Sequence, residues 1–414
     1  MSNINTHHYK KVHISTFKNL LWQVLCIAML LGCQQIEKTN IGLTHTTPPT
    51  PINVKFAGLA FLGDWSQREN RYPMSASILS QMDDNGIVRI DTSLRTAIQN
   101  VNNPQVMLEF NLEEHSSKDS LALAFAISNE RVSTQQYREK FLVSYEISAN
   151  IITFDFMEKK VIGNYPVIVR YAELIDSMPT IQHKHNVLAN MFFNPHFEIN
   201  VLNTLIDAFN NISLRRSHKN YIQITKLTLD EKVIEQLVEM EFDQKAYGHT
   251  VAQYFESLLS ANQSIPVVPF SRGEVIGSNM SARFSNGTVF NLQLPQPDYS
   301  IEITLMPFRK KIVPEDNYIQ TVYGGNIKVL VSQPDINKVY LDGNFWKTAI
   351  QTQSVEDNVV INDRDEYDKV LIGLMDELTQ QISIREKDWL NVSTRTSNVI
   401  DQLKQFEDLL SRIR

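Results

Sequence analysis

Three histidines and a glutamate, His183, His185, His196 and Glu198, are the side chains of this sequence with metal-ligand chemistry at close spacing. A His-x-His pair turns both rings to one side only on a strand, and this pair follows Pro179 in a polar stretch. They are read as exposed loop histidines, with no metal expected. Asp363, Asp365 and Asp368 have the spacing of the start of a calcium loop. The sharp-turn glycine and the distal bidentate glutamate of such a loop are missing, so these acids read as the first turn of a helix, where negative charge is favoured. Gly58 and Gly63 are spaced like a phosphate loop, but Asp64 stands where the phosphate-binding lysine would be. Ser116-Ser117-Lys118 lacks the S-x-x-K spacing, and neither a G-x-S-x-G elbow nor an H-E-x-x-H helix occurs. No catalytic residue, metal or cofactor is expected.

Cysteine chemistry is confined to the amino-terminal end. Lys10, Lys11 and Lys18 lead into Leu20–Leu31, which is apolar apart from Gln23 and closes on Leu30-Leu31-Gly32-Cys33. Such a run spans roughly 18 Å as a helix, well short of a hydrocarbon core of ~30 Å, so residues 1–32 read as an export signal. Leu-Leu-Gly-Cys in this setting resembles the lipobox of bacterial lipoproteins. The resemblance implies cleavage between Gly32 and Cys33, with Cys33 becoming the lipidated first residue. It also implies that Gln34, in the place of a retaining Asp, sends the protein to the outer membrane facing the periplasm. Acyl chains contribute ~0.8 kcal/mol per buried CH₂, so two or three hold a protein on a bilayer almost permanently.

The elements that follow must place a body on that foothold. Residues 33–52 form a lipidated and flexible tether, polar and rich in proline at Pro48, Pro49 and Pro51. With Cys26 gone and Cys33 acylated, no thiol is left for disulfides, redox work or cysteine ligands. The 414-residue chain carries 39 Lys and Arg against 46 Asp and Glu, a net charge of −7 that excludes a basic nucleic-acid footprint. At 43% hydrophobic residues the length is ample for large cores.

The pattern predicts an α+β fold in two halves, mainly antiparallel sheets packed by helices, plus a C-terminal amphipathic helix. The expected divisions are 53–240, 241–385 and 386–414. Val54–Leu62 reads as a strand buried on both faces. Val143, Tyr145, Ile147, Ala149 and Ile151 alternate along a strand that returns through Val161–Val169. Tyr299, Ile301, Ile303 and Leu305 alternate likewise, and hairpins are read at Asn286-Gly287 and at Gln333-Pro334-Asp335. Helices are expected at 93–101, 200–209, 230–240, 248–262 and 365–382, with Ile265–Pro269 as a short edge strand. The Asn150–Val161 and Asn326–Val339 hairpins echo each other faintly. At the end of the chain Val399, Leu403, Phe406, Leu410 and Ile413 recur at heptad-like spacing. This seam is read as packing onto its own domain, with a partner-binding or self-pairing helix, for which these five are the candidate residues, as the alternative.

The order from Gly248 to Ile382, helix, V-V-P strand, alternating strand, hairpin and final helix, is similar to the periplasmic lipoproteins of curli secretion and of penicillin-binding-protein activation. On that resemblance Val54–Leu62 is the opening strand and residues 64–245 an insertion, and the body is an envelope-assembly module with a protein partner. A binding protein for a small molecule, lipid or glycan held between the halves is the alternative, with Trp65 or Trp346 lining its pocket.

Overall fold

The computed structural model describes residues 51–63, 68–109, 121–137, 139–240, 243–270, 279–284, 289–354 and 362–414. Gly32, Cys33, nearly all of the tether, Trp65, Ser116–Lys118 and Asn286-Gly287 lie outside the described residues.

The first half opens with β1 (Ile52–Leu62), followed by α1 (Arg68–Arg71), α2 (Ser75–Leu79), α3 (Arg89–Ile98) and β2 (Val106–Glu109). A meander of β3 (Leu121–Tyr137), β4 (Lys140–Asp155) and β5 (Lys160–Ile175) leads to α4 (Ile181–Phe193) and α5 (Val201–Asn210). The second half opens with β6 (Ile222–Leu229), α6 (Glu231–Glu239) and α7 (Gln244–Gln263). It continues with the β7 (Asn279–Phe284) and β8 (Val289–Gln293) pair. A second meander, β9 (Tyr299–Pro314), β10 (Tyr318–Gln333) and β11 (Lys338–Ser354), precedes α8 (Asp363–Ile384), α9 (Lys387–Ser393) and α10 (Val399–Leu410). The class is α+β, as the alternation predicts.

Side-chain caps account for five of the helix starts. Thr180, Asn200, Asp230, Asp243 and Asn362 each accept a backbone N–H from the first turn of α4, α5, α6, α7 and α8. The His183–His185 stretch is therefore not a loop but the opening of α4. Thr180 was its legible signal, hidden behind the polarity of the first turn.

Both halves repeat one topology. β1 runs parallel to β3, and β3, β4 and β5 follow antiparallel. β6 runs parallel to β9, and β9, β10 and β11 follow antiparallel. The two hairpins that echo each other in sequence, β4–β5 and β10–β11, occupy equivalent places in this repeat.

The strands do not sort by a boundary at 240. The β7–β8 pair, from beyond it, joins the first sheet: β7 pairs with β1 and β8 touches β5 at Lys160↔Gln293. β6, from before it, belongs to the second sheet. Ile265–Pro269 forms no strand but stitches the sheets together. Val267 N–H donates to Asn164 O at 2.9 Å and Val268 N–H to Ile222 O at 2.9 Å. The C-terminal segment is likewise two helices, α9 and α10, rather than one.

Alternation puts Val143, Tyr145, Ile147, Ala149 and Ile151 of β4 into one core with α2–α5. Ile301, Ile303, Leu305, Ile327 and Val329 build a second core with α6, α7, α8 and α10. The other face of the first sheet is lined by Ala60, Ala122, Ala124 and Ala126, over which Met280, Ala282 and Leu292 of the β7–β8 pair close.

Candidate functional site

A single bulge decides which β3 side chains can meet the second half. Leu121, Leu123, Phe125 and Ile127 face the first core, and the register with β4 then slips between Ile127 and Asn129. One extra residue reverses the faces. Val132 packs on the core side, while Arg131, Ser133 and Gln135 turn to the opposite face beside Leu142, Ser144 and Glu146 of β4. Glu130 turns coreward and accepts the N–H groups of Met74 and Ser75 at 3.0 and 2.6 Å, at the start of α2.

Against that polar face lie α7 and α8. Tyr247 and Tyr254, two turns apart on α7, point at it together with Asp365, Asp368 and Lys369 of α8. Arg131 Nη1 is 2.9 Å from Asp368 Oδ2, and its Nη2 is 3.6 Å from Asp365. Tyr247 donates to Asp368 Oδ1 at 2.9 Å. Tyr254 donates to Glu146 at 2.7 Å, and Arg170 Nε donates to the same carboxylate at 2.8 Å with its guanidinium 5.0 Å from the Tyr254 ring centre. With its amide turned to suit its neighbours, Gln135 bridges Asp365 Oδ2 and the Asn362 N–H. A cavity of about 150 Å³ remains between the two walls.

Burial sets the electrostatics. It raises the Asp368 carboxyl above the ordinary aspartate range, while Arg131 and Tyr247 pull it back down. Burial also opposes the charge on Arg131, but Asp368, Tyr254 and Glu146 outweigh it and keep the guanidinium charged. Both phenols are pushed up, first by burial and then by the carboxylates they face. Each is a hydrogen-bond donor that stays protonated. Lys369 is drawn off to Glu366 at 2.7 Å. The arrangement fixes charges in pairs and couples the first sheet to α7 and α8. Sequence reasoning missed it, although Arg131 and Glu146 in mid-strand at non-core positions were a signal.

The sequence candidates fall as follows. Asp363, Asp365 and Asp368 do begin a helix, and each has a named partner: Asp363 accepts from Lys310 Nζ at 2.7 Å and Tyr323 Oη at 2.6 Å, and the other two meet Arg131. His183 Nε2 lies 2.7 Å from Glu173, which also accepts from Tyr145 Oη at 2.9 Å. On α4, His185 lies about 200° around the helix from His183, so the pair does not share a face. Among the described residues, no three His, Cys, Asp or Glu side chains converge as a metal would need. Trp346 sits beneath Arg395 and away from the cavity walls.

The partner-binding assignment of the C-terminal seam is corrected. Val399, Leu403, Phe406, Leu410 and Ile413 are at most 9% exposed and belong to the second core of this chain, so they present no partner-binding face. Gln402 Oε1 accepts from Asp342 N at 2.8 Å, Arg385 reaches Glu407 at 2.6 Å, and Arg414 Nε donates to Gln263 O at 2.9 Å. An amphipathic stripe looks the same whether it meets its own domain or a stranger.

The fold and seam together define an α+β protein of two sheets that share a four-strand order and are linked through Arg131 with Asp365 and Asp368. No protein-family model matches the sequence, and no curated protein matches it. Among solved structures, the chain is similar to a minor lipoprotein from Acinetobacter baumannii at 12% identity and TM-score 0.18, over 40% of this chain and 91% of that one. A DUF330 protein from Xanthomonas campestris aligns at 8% identity and TM-score 0.22, over 40% of this chain and 84% of that one. A homologue of neuraminyllactose-binding hemagglutinin from Helicobacter pylori aligns at 8% identity and TM-score 0.20, over 48% of this chain and 95% of that one.

Proposed function

We propose that this chain is a lipoprotein of the bacterial envelope, anchored in the outer membrane through Cys33 and holding a non-enzymatic interaction or assembly module in the periplasm. The observation that carries the reading is Leu30-Leu31-Gly32-Cys33 closing a basic lead and a short apolar run. The body supports it in two ways. β1 begins at Ile52, directly after the proline-rich stretch, as a tethered domain requires. The polar cluster between the halves ties Arg131 to Asp365 and Asp368 and Tyr254 to Glu146, which suits a rigid scaffold. No helix among the described residues is long and apolar enough to cross a membrane.

Replacing Cys33 with serine tests the anchor. The Cys33→Ser chain is expected to lose metabolic acyl label and to leave the outer-membrane fraction. Acyl label retained by that variant would remove the assignment. The partner is an envelope protein, to be found by in-cell crosslinking of the anchored chain. A second reading, a small ligand bound between the halves, rests on the 150 Å³ cavity at the seam, room for about five waters. A ligand there would raise the unfolding temperature of the parent chain and leave an Arg131→Met variant unmoved.

A further inference from the structure

We propose that the C-terminal helix pair carries a binding pocket for a phosphate group borne by a small or lipidic ligand. A pocket of about 300 Å³ opens between α9 and α10. Lys387, Asn391, Arg395 and Thr396 form its polar wall, and Leu390 and Ile400 stand among its apolar residues. No carboxylate lines it. The acids of the same helices, Asp388, Asp401, Glu407 and Asp408, are outside the wall.

Arg395 is held in place before any ligand arrives. Its Nη1 donates to the carbonyls of Asn391 at 2.5 Å and Thr394 at 3.1 Å, and the guanidinium lies 5.5 Å from the centre of the Trp346 ring. That leaves Nε and Nη2 for a ligand, in the planar fork that matches phosphate oxygens. The floor is tied to the second sheet: Thr394 Oγ1 donates to Asn344 O at 2.7 Å, and Asn344 N donates to Thr396 Oγ1 at 3.1 Å. Lys387, the first residue of α9, supplies a second charge on the same wall. The start of α10 is uncapped by Asn398 and adds a partial positive charge from the amide side, which assists the two cations without defining the site.

Phosphate is the anion that uses this set, because it offers several acceptor oxygens to a fork, an ammonium and the Thr396 hydroxyl at once. A nucleic acid is ruled out by the net charge of −7. The apolar wall of Leu390, Val399 and Ile400, the last 42% exposed, fits a ligand that carries hydrocarbon next to its phosphate. A lipid headgroup and a soluble phosphate ester share this chemistry.

The test uses the full chain carrying Cys33→Ser, so that acyl chains play no part, and compares it with Arg395→Gln and Lys387→Gln in the same background. Inorganic phosphate is titrated by calorimetry and by tryptophan fluorescence, since Trp346 lies under Arg395. Retention is measured on phosphatidylcholine vesicles with and without phosphatidylglycerol. Saturable phosphate binding that weakens about tenfold in each variant, as loss of one charge-assisted contact implies, supports the site. A parallel fall in vesicle retention identifies a lipid headgroup as the source, and unchanged retention identifies a soluble ester. Absence of saturable phosphate binding, or binding that both variants retain with unchanged unfolding midpoints, overturns it.

Discussion

Asp368 is 7% exposed, and its carboxylate is compensated mainly by Arg131. Removing the guanidinium leaves a buried charge held by the Tyr247 phenol and the weaker field of Arg364. Arg131→Met is therefore expected to destabilise the fold by about 3–5 kcal/mol. Combining it with Asp368→Leu should recover much of that loss, because an apolar pair of similar volume carries no desolvation penalty. Urea unfolding of the two variants measures both numbers, and equal losses in single and double variants would contradict the argument. Glu256 on α7 makes a different prediction. It is fully enclosed, accepts the Phe270 N–H at 2.5 Å, and burial pushes its carboxyl up from 4.5 to about 8. A carboxyl raised on folding stabilises the native state below its unfolded value, and that contribution is lost as pH rises towards the folded value. Unfolding temperatures should thus fall more steeply between pH 5 and pH 8 for the parent than for Glu256→Gln. At pH 8 the Gln variant should be the more stable of the two.

At the scale of elements, α10 decides how the C-terminal segment behaves. Leu403, Phe406, Leu409 and Leu410 are at most 1% exposed and fill the core beneath β10, β11 and α8. Truncation after Thr394 removes all four, and one buried leucine alone is worth about 2–5 kcal/mol. The truncated chain should lose cooperative unfolding in its second half, read as loss of near-ultraviolet dichroism with exposure of dye-binding surface. A stable, cooperatively folded product would show that α10 is an appendage. Its heptad-like spacing was legible in sequence, as were β4, β9, α7 and α8, because each alternates or recurs over a long run. α4 was not, since His183, Lys184 and His185 place polar residues in its first turn and only Val187, Leu188, Met191 and Phe192 reach the core.

For the whole molecule, the two cores are separate clusters joined by the seam, by the β7–β8 pair and by the Val267–Val268 stitch. Arg131 with Asp368 and Glu146 with Tyr254 tie the first sheet to α8 and α7, so breaking both is expected to uncouple the halves as well as to cost stability. Arg131→Met combined with Tyr254→Phe is expected to split one calorimetric transition into two. A single, merely shifted transition would assign the coupling to the β7–β8 pair and the stitch.

The candidate lipid site, the acidic balance and the α+β pattern were written in residue order, because lipobox, charge and periodicity are local properties of a chain. The pairing of halves was not. Arg131 faces Asp368 only because one bulge between Ile127 and Asn129 reverses the faces of β3, and a period-two pattern carries no mark of where a register slips. Likewise Val399 to Ile413 spell an apolar stripe, but what a stripe packs against is fixed by the space left between other elements. Contacts between residues far apart in sequence, such as 131 with 368 or 263 with 414, exist only once the chain has closed on itself.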